Sequence, residues 1–353
     1  MKIAIIASSE TEGGAEQYIY RLYSELRRRY DVEPYLIGQL PGWTADLGPV
    51  DSAGAGPKLT RRQPFFGQVV RSVKTVPMII RAVNEINPDL IHVQYLKEKF
   101  IFPRILGRNY PIVWTEHGPL PDNFPPGSER ILAWQARKAK IISVSDGVKE
   151  SLKEKNMSAQ TIPNAFPGPV SFRDGFKSAD QRRVVLFAGR LHENKRVDLL
   201  VRAAALLPEI DFLIAGDGPA RVAIEPSAPE NVKFLGKIDD VSALYDVADL
   251  VVIPSGRKAR EGCPLVMLEA RSVGVRVLMA EDCHSTLDAE SLGCGIFSPT
   301  VESLRVSILD SLAQPNRPIS KSAEIERSTD HWAATHYEFM QNSVSARLSV
   351  SNR

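Results

Sequence analysis

The sequence has few cysteines and no long apolar run. Its three cysteines, Cys263, Cys283 and Cys294, lie apart from any Cys-x-x-Cys motif or histidine cluster. This pattern excludes a disulfide scaffold and a structural zinc site, and it fits a reducing cytoplasm. The apolar run Ile3–Ala7 is too short for a signal peptide. No run approaches the roughly 18 residues that a membrane span requires. We therefore predict a cytoplasmic protein whose chain does not cross a membrane.

A strong charge of either sign is also missing. The 44 Lys and Arg and the 42 Asp and Glu residues leave a formal net charge of +2, which is too small for a protein that binds nucleic acid by neutralising phosphates. The hydrophobic fraction of 43% and the charged fraction of 24% are typical of globular proteins. A length of 353 residues suggests about two domains.

Short, β-branched apolar runs recur along the chain, and amphipathic stretches such as Glu16–Arg29 and Val197–Leu206 separate them. The runs are Ile3–Ala7, Val32–Ile37, Leu90–Val93, Ile112–Thr115, Ile141–Val144, Val184–Ala188, Asp211–Ala215, Val232–Leu235, Leu250–Ile253 and Val275–Met279. Such runs are typical of parallel strands that are buried on both faces. Their alternation with helices predicts an α/β protein with doubly wound parallel sheets.

A stretch rich in Pro and Gly interrupts this rhythm after Pro163, and the strand–helix alternation begins again at Val184. We predict a Rossmann-like domain over residues 1–165, a linker over 166–183 and a second Rossmann-like domain over 184–330. A final helix over 331–353 has no strand after it, and we expect it to pack back onto the first domain. Folds of this kind bind ligands at the carboxyl ends of their strands, so candidate residues should follow the apolar runs.

Two candidates follow strands of the first half. Gly13 and Gly14 come before a helix, where backbone amides can approach a phosphate closely; the alternative is an ordinary tight turn. The pattern is not Gly-x-Gly-x-x-Gly, which disfavours dinucleotide binding. His117 follows the strand Ile112–Thr115 and can hydrogen-bond a sugar hydroxyl or act as an acid or base; the alternative is a histidine that caps a loop.

Two cations follow the first strand of the second half. Arg190 comes directly after that strand, and Lys195 lies at the start of the next helix. Two cations near a helix N-terminus can hold a diphosphate and stabilise it as a leaving group. The alternative is ordinary surface charge.

The most informative stretch follows the strand Leu250–Ile253. It contains Glu261, then Gly262, Cys263 and Pro264, and then the apolar helical run that includes Glu269. Proline suits the first helical position, and the next amides, those of Leu265 and Val266, are then free to bind phosphate. Glu261 is placed to meet what lies beyond the phosphates, and Glu269 to accept a hydrogen bond from a ribose diol. The alternatives are a helix-terminal charge for Glu261 and a solvated side chain for Glu269.

The motifs GGAE, NPDLIHVQY, PIVWTEHG, ISVSDGV, TIPNAF, FAGRLHENKRVDLL, LIAGDGP and EGCPLVMLEA occur in this order along nearly the whole chain. In this arrangement the sequence resembles the retaining, nucleotide-sugar-dependent glycosyltransferases of family 4, which have the GT-B fold. Cys263 and Pro264 replace the Phe-Gly that is commoner in the family after the first Glu-Gly. The basic loop 255–260 has no assigned role.

The resemblance implies roles for these residues. Glu261 and His117 would contact the donor sugar, Arg190 and Lys195 would hold the diphosphate, Glu269 would bind the ribose, and the loop at Ile238 would meet the base. The expected catalytic residues are His117, Arg190, Lys195 and Glu261. The expected donor-binding residues are Gly13, Gly14, Arg190, Lys195, Ile238, Gly262, Cys263, Pro264, Leu265, Val266 and Glu269.

The expected reaction is transfer of a hexose-type sugar from a nucleoside diphosphate sugar, with UDP as the expected nucleotide, to a hydroxyl of a polysaccharide, a lipid-linked glycan or a small natural product. No Asp-x-Asp follows a strand, so we expect no metal and no other cofactor. The alternatives are a nucleotide-sugar epimerase, a phosphorylase and a non-catalytic protein that binds nucleotide sugars.

A membrane surface is a further candidate partner. The segment Arg61–Arg81 combines basic and aromatic residues, and together with the cations Arg27–Arg29 it could contact an anionic membrane surface. The favoured interpretation of this segment is an ordinary amphipathic surface helix.

Overall fold

The computed structural model describes residues 1–10, 13–51, 75–122, 124–168, 182–238 and 240–351. The chain divides into two compact units. Unit 1 contains Met1–Val144, Val148–Asn164 and Asp330–Arg353, and unit 2 contains Ser145–Gly147 and Ala165–Thr329. Most of the predicted linker, residues 169–181, lies outside the described residues. No described helix combines the length and the apolar character that crossing a membrane requires.

Each unit is built on a parallel sheet. The strands are β1 Lys2–Ser8, β2 Glu33–Gln39, β3 Val50–Asp51, β4 Leu90–Val93, β5 Ile112–Glu116, β6 Lys140–Ser143, β7 Gln160–Thr161, β8 Val184–Ala188, β9 Asp211–Ala215, β10 Val232–Gly236, β11 Leu250–Ile253, β12 Arg276–Ala280 and β13 Gly295–Phe297. All ten apolar runs of the sequence fall on strands, whereas the short strands β3, β7 and β13 were not predicted.

The first ten of the described α-helices lie between successive strands, and the last three follow the last strand, β13. They are α1 Gly14–Arg29, α2 Val76–Ile86, α3 Leu96–Leu106, α4 Ser128–Ala136, α5 Asp146–Glu154, α6 Val197–Ala204, α7 Arg221–Ile224, α8 Ser242–Val247, α9 Leu265–Ser272, α10 Thr286–Ala289, α11 Val301–Ala313, α12 Lys321–Glu326 and α13 Thr329–Ser351. The α/β prediction of two Rossmann-like sheets is confirmed. Part of the membrane hypothesis, residues 61–74, lies outside the described residues, and the rest of that segment enters α2.

Strand order identifies where each sheet can bind a ligand. The sheet of unit 1 runs β3-β2-β1-β4-β5-β6-β7, and the sheet of unit 2 runs β10-β9-β8-β11-β12-β13, with every pair parallel. The order reverses between β1 and β4 in the first sheet and between β8 and β11 in the second. Doubly wound sheets bind ligands at the carboxyl ends of the strands beside such a reversal.

The sheet of unit 2 is buried on both faces. Along β8, Val185 and Phe187 belong to one apolar core cluster and Leu186 belongs to another, because successive side chains of a strand point to opposite faces. In unit 1, β1 likewise buries every side chain after Lys2. The helix α13 also belongs to unit 1, and it buries Trp332, His336 and Met340 at a spacing of four residues, so that these side chains share one helical face.

Candidate functional site

Glycines bring two loops of unit 2 together at the carboxyl ends of β8 and β9. Gly216 has a φ of +139°, and a Cβ there would lie 1.8 Å from the carbonyl oxygen of Gly189. Gly218 has a φ of +154°, and a Cβ there would lie 2.3 Å from the carbonyl oxygen of Leu191. Only glycine fits at such positions. The loop after β9 therefore packs directly against the loop that carries Arg190 and Lys195.

Lys195 and Glu261 meet at the strand-order reversal of unit 2. Lys195 ends a short 3₁₀ turn, Glu193–Lys195, in the loop after β8, and Glu261 follows β11. Their side chains form an ion pair and are 23% and 16% exposed. Ser255 Oγ also donates a hydrogen bond to the Glu261 carboxylate at 3.1 Å. Two predicted site residues are therefore in contact, although their pairing with each other was not predicted.

Arg190, the second predicted cation, is exposed, and its side chain forms no ion pair within the described part of the chain. It lies two residues after the end of β8. The structure thus leaves this guanidinium open to solvent at the same end of the sheet as Lys195.

The helix α9 begins directly after Glu261, Gly262, Cys263 and Pro264. Pro264 adopts φ −60° and ψ 123° and precedes the first helical residue, Leu265, so the helix begins one residue later than predicted. The first helical hydrogen bond runs from the Met267 amide to the Pro264 carbonyl at 3.0 Å. The amides of Leu265 and Val266 donate no hydrogen bond to any described residue. They form the positive end of the helix and can bind an anion.

Glu269 lies one turn further into α9 and is half-buried. Tyr245 on α8 donates a hydrogen bond to its carboxylate at 2.7 Å. Burial of the Tyr245 hydroxyl raises its pKa well above the ordinary value, and the charge of Glu269 adds to that rise.

Ile238 was predicted to lie near the nucleotide base. It is half-buried and packs against the apolar cluster that also contains Tyr245. Sequence reasoning missed Tyr245, because nothing local links it to Glu269.

Cys263 packs beside a buried ion pair. Arg327 donates to Asp288 at 2.8 Å, and both side chains are less than a tenth exposed. A second nitrogen of Arg327 lies 3.8 Å from the Cys263 sulfur. Burial raises the pKa of the Cys263 thiol to about 11, despite the nearby guanidinium. Cys263 is therefore a neutral thiol that fills space below the start of α9, and neither Arg327 nor Asp288 was predicted.

In unit 1, Gly13 directly precedes α1 in an extended conformation. A Cβ at Gly13 would lie 3.2 Å from a carboxylate oxygen of Glu16. Glu16 is 1% exposed and accepts a hydrogen bond from Tyr95 at 2.6 Å. Gly14 is the first residue of α1, so the predicted glycine pair lies at the N-terminus of this helix, and a buried carboxylate lies in its first turn.

His117 follows β5 in unit 1 and belongs to a polar network. Its Nε2 atom lies 2.9 Å from Gln94 Oε1, and its ring contacts the edge of Tyr18. Since Gln94 Oε1 only accepts, His117 Nε2 is the donor. Gln94 also contacts His92, which is fully buried. Burial lowers the pKa of His92 to about 3, so His92 is neutral. Sequence reasoning missed Gln94 and His92, although both lie in the motif NPDLIHVQY.

Unit 1 also contains a basic pocket, a concavity of about 620 Å³ between α1 and the loop after β2. Arg28 on its rim pairs with Glu25 at 2.7 Å. The lining residues, three of them arginines, are Tyr20, Arg21, Ser24, Arg27, Arg28, Thr44, Asp46 and Leu47.

No group of three or more His, Cys, Asp and Glu residues among those described is arranged to hold a metal ion.

Comparison with known proteins agrees with this architecture. Residues 12–167 match the family model described as Glycosyltransferase Family 4, and residues 182–309 match the model described as Glycosyl transferases group 1. A Campylobacter jejuni enzyme, an α-1,4-N-acetyl-D-galactosaminyltransferase that acts on a diNAcBac-PP-undecaprenol-linked glycan, is 25% identical over 287 residues, which cover 76% of each chain. D-inositol 3-phosphate glycosyltransferase of Mycobacterium ulcerans is 35% identical over 162 residues, which cover 40% of this chain and 34% of that protein.

Solved structures share the fold along the whole chain. Sucrose-phosphate synthase of Thermosynechococcus elongatus superposes with a TM-score of 0.78 at 18% identity and covers 98% of this chain and 99% of its own. Anabaena HepE in complex with UDP and glucose superposes with a TM-score of 0.67 at 20% identity and covers 99% of each chain. The two matched models, the two doubly wound sheets and these relatives together identify the chain as a family 4-type glycosyltransferase with the GT-B fold.

Proposed function

We propose that this glycosyltransferase moves a hexose-type sugar from a UDP-sugar to a hydroxyl acceptor, with retention at the anomeric carbon and without a metal. The observation that carries the proposal is the Lys195–Glu261 pair, which lies at the strand-order reversal of unit 2. Beside it are the amides that open α9, which donate to no residue in the described part of the chain. Anabaena HepE, which has the same fold, is described in complex with UDP and glucose, and this supports UDP as the nucleotide.

The charges of this site suit a diphosphate leaving group. Lys195, the exposed guanidinium of Arg190 and the amides of Leu265 and Val266 supply positive charge and hydrogen-bond donors at one end of the sheet. Donors that are fixed before the reaction stabilise the charge that develops when the sugar–phosphate bond breaks. These groups can supply that charge without a divalent cation, and this supports the proposed metal independence.

Each carboxylate has a distinct proposed task. When a phosphate of the donor pairs with Lys195, the Glu261 carboxylate loses its cation and becomes free to accept hydrogen bonds from hydroxyls of the donor sugar. Glu269, held by Tyr245, accepts a hydrogen bond from the ribose. We name no protein nucleophile. The proposed retention follows the family resemblance, in which the leaving phosphate helps to deprotonate the acceptor on the same face of the sugar.

The basic pocket of unit 1 supports an acceptor that carries phosphate. The names of the Campylobacter and Mycobacterium relatives specify a diphosphate-linked glycan and an inositol phosphate as their acceptors. In this chain the pocket lining has three guanidinium groups and one carboxylate, that of Asp46, and guanidinium groups pair well with phosphate oxygens.

We place the reaction in the cytoplasm, because the three cysteines are thiols.

The donor proposal is tested by calorimetry with UDP and GDP in the presence of EDTA. We expect UDP to bind, and Lys195→Ala to weaken its binding about tenfold or more, since hydrogen bonds to charged groups contribute roughly 1.5–3 kcal/mol. Lys233→Ala, which removes an exposed lysine of β10 in the same unit, is the matched control and should bind UDP like the wild type. Absence of heat with every nucleoside diphosphate, or heat that EDTA abolishes, contradicts the proposal.

The carboxylate is tested with Glu261→Gln. This variant should bind UDP at least as well as the wild type, because Lys195 no longer has a competing partner, but it should lose affinity for the UDP-sugar and lose turnover. NMR of the product should show the anomeric configuration of the donor. Full turnover by Glu261→Gln, or an inverted product, removes the assigned mechanism.

The acceptor is tested by combining Arg27→Gln with Arg28→Gln. The KM for a phosphate-bearing acceptor should rise, while the KM for the UDP-sugar stays the same. Arg81→Gln, which changes an exposed arginine elsewhere in unit 1 that pairs with Glu85, should leave both KM values unchanged. An unchanged acceptor KM in the double variant excludes the pocket as the phosphate site.

A further inference from the structure

Arg196 adopts a backbone conformation that is unfavourable for its residue type. It follows Lys195 and ends the 3₁₀ turn in the loop after β8, with φ 51° and ψ 39°. This is the left-handed region, which costs free energy for every residue except glycine. Arg196 also precedes the first residue of α6, so a glycine would fit this position at least as well. Its side chain must therefore contribute something that glycine cannot.

The guanidinium of Arg196 forms a two-pronged ion pair. Its two terminal nitrogens donate to the two carboxylate oxygens of Asp282 at 2.8 and 2.6 Å. Burial opposes ionisation of Asp282, but Arg196, together with the backbone N–H of Arg257, outweighs that effect and holds the pKa of Asp282 below its ordinary value. Asp282 follows β12, so this contact joins the loop after β8 to the loop after β12.

The same guanidinium lies directly against Gly256, in the loop after β11. A Cβ at Gly256 would lie 2.3 Å from the central guanidinium carbon of Arg196. The Gly256 amide donates to the carbonyl of Asn194 at 3.2 Å. One side chain therefore contacts loops that follow three adjacent strands of the sheet, β8, β11 and β12.

These contacts immediately flank the donor-binding pair. Lys195 is the residue before Arg196, and Glu261 lies five residues after Gly256. The Lys195–Glu261 ion pair itself joins the same two loops, but under the proposed function that pair must separate when phosphate binds Lys195. A second connection must then hold the two loops in place, and Arg196 with Asp282 and Gly256 provides it.

We propose that Arg196 is a positioning residue that keeps Lys195 and Glu261 at their working separation after the donor breaks their ion pair. This proposal rests on the proposed function, since it assigns a task within the same donor site. In this role Arg196 contacts Asp282 and Gly256 and acts on the loops, not on the donor itself. Its effect is transmitted through the backbone of the two loops, and a rigid pair of loops lowers the cost of ordering the site on binding.

The decisive variant is Arg196→Gly, because glycine accepts the left-handed conformation and so relieves backbone strain while the ion pair is lost. We expect an unchanged melting temperature and an approximately tenfold or larger fall in kcat/KM, carried mainly by a higher KM for the UDP-sugar. The acceptor KM should not change. Arg202→Ala removes an exposed arginine of α6 that pairs with Asp198, and this matched control should retain wild-type kinetics.

Two further variants separate charge from packing. Asp282→Asn should reproduce the higher donor KM, and the charge-swapped double variant Arg196→Asp with Asp282→Arg should recover part of the loss, since aspartate tolerates the left-handed region better than most residues. If Arg196→Gly has wild-type kinetics while UDP still binds the wild-type protein, the positioning role is wrong and the proposed function stands. If the wild-type protein does not bind UDP, the proposed function itself fails.

Discussion

His336 makes unit 1 sensitive to acid in a way that can be measured. Its side chain is fully buried on α13. Tyr18 on α1 lies 2.6 Å from Nε2, and the carbonyl of Trp332 lies 2.7 Å from Nδ1. Since a carbonyl only accepts, Nδ1 is the protonated nitrogen and Nε2 accepts from the Tyr18 hydroxyl. A second proton, on Nε2, would therefore reverse the hydrogen bond with Tyr18, whose hydroxyl can also accept, and would place a charge in the core.

Burial accordingly lowers the pKa of His336 from 6.5 to about 4. The unfolded chain takes up the proton near its ordinary pKa, and the folded protein resists it. The stabilisation is thus complete above pH 6.5 and is lost as the pH falls towards 4. At pH 5, which lies about 1.5 units below the pKa of the unfolded chain, the histidine is protonated in the unfolded state but still mostly neutral in the folded state. The free energy of unfolding is then lower by roughly 2 kcal/mol.

The assay uses the position of the tryptophans. All four, Trp43, Trp114, Trp134 and Trp332, belong to unit 1, so urea unfolding followed by tryptophan fluorescence reports on this unit. We compare the wild-type protein with His336→Gln at pH 7 and pH 5, because glutamine offers an acceptor to Tyr18 and does not titrate. Groups other than His336 that titrate in the same range contribute equally to the unfolding free energy of both proteins, so their contribution cancels when the two proteins are compared.

Between pH 7 and pH 5 the wild-type unit should lose about 2 kcal/mol more than the variant. Equal losses in both proteins would refute the reasoning, since His336 would then take up a proton in the folded state at no cost. An NMR titration of the His336 ring that shows a pKa near 6.5 in the folded protein would refute it equally.

Three further predictions concern single side chains. Glu98 is fully buried, and its carboxylate accepts no hydrogen bond in the described structure, although Lys97 Nζ lies 3.5 Å away. Burial raises its pKa from 4.5 to about 7 against the opposing charge of Lys97, so its contribution to stability is complete below pH 4.5 and is lost as the pH rises to 7. In urea unfolding, Glu98→Gln should therefore gain roughly 1.4 kcal/mol relative to the wild type for each pH unit between 4.5 and 7, and nothing further above 7. Gly216→Ala should destabilise unit 2 by roughly 3 kcal/mol through the clash with Gly189, which circular dichroism should record as an earlier melting step without a matching change in tryptophan fluorescence. Tyr245→Phe should weaken UDP binding up to about tenfold in calorimetry, because Glu269 loses the donor that orients it; unchanged affinity would separate Glu269 from the nucleotide.

The fold could be predicted from the sequence because parallel strands that are buried on both faces appear as uninterrupted apolar runs. The run Val184–Ala188 coincides with β8 at both ends. The strands β3 and β7 contain two residues each, and a pattern of apolar residues has no meaning over so short a length. Their presence depends on pairing with a neighbouring strand, which the chain acquires only when the sheet assembles.

The residues of the candidate site could be predicted where they lie close together in the sequence. Glu261 and Glu269 belong to one continuous motif around the start of a helix. The contacts that fix their surroundings join distant parts of the chain: Arg196 and Asp282 are 86 residues apart, and Tyr245 and Glu269 are 24 apart. Such pairs follow from strand order, which a single sequence does not specify, and so Arg196, Asp282 and Tyr245 were found only in the structure.

The return of α13 to unit 1 has a consequence for biosynthesis. The buried partners of Tyr18 include Trp332 and His336, which the ribosome adds more than 300 residues later. Every residue of unit 2 has been polymerised before these partners exist. Because domains generally fold as units while the chain emerges, unit 2 has the opportunity to complete its core first. The amino-terminal unit cannot complete the packing around Tyr18 until α13 has left the exit tunnel.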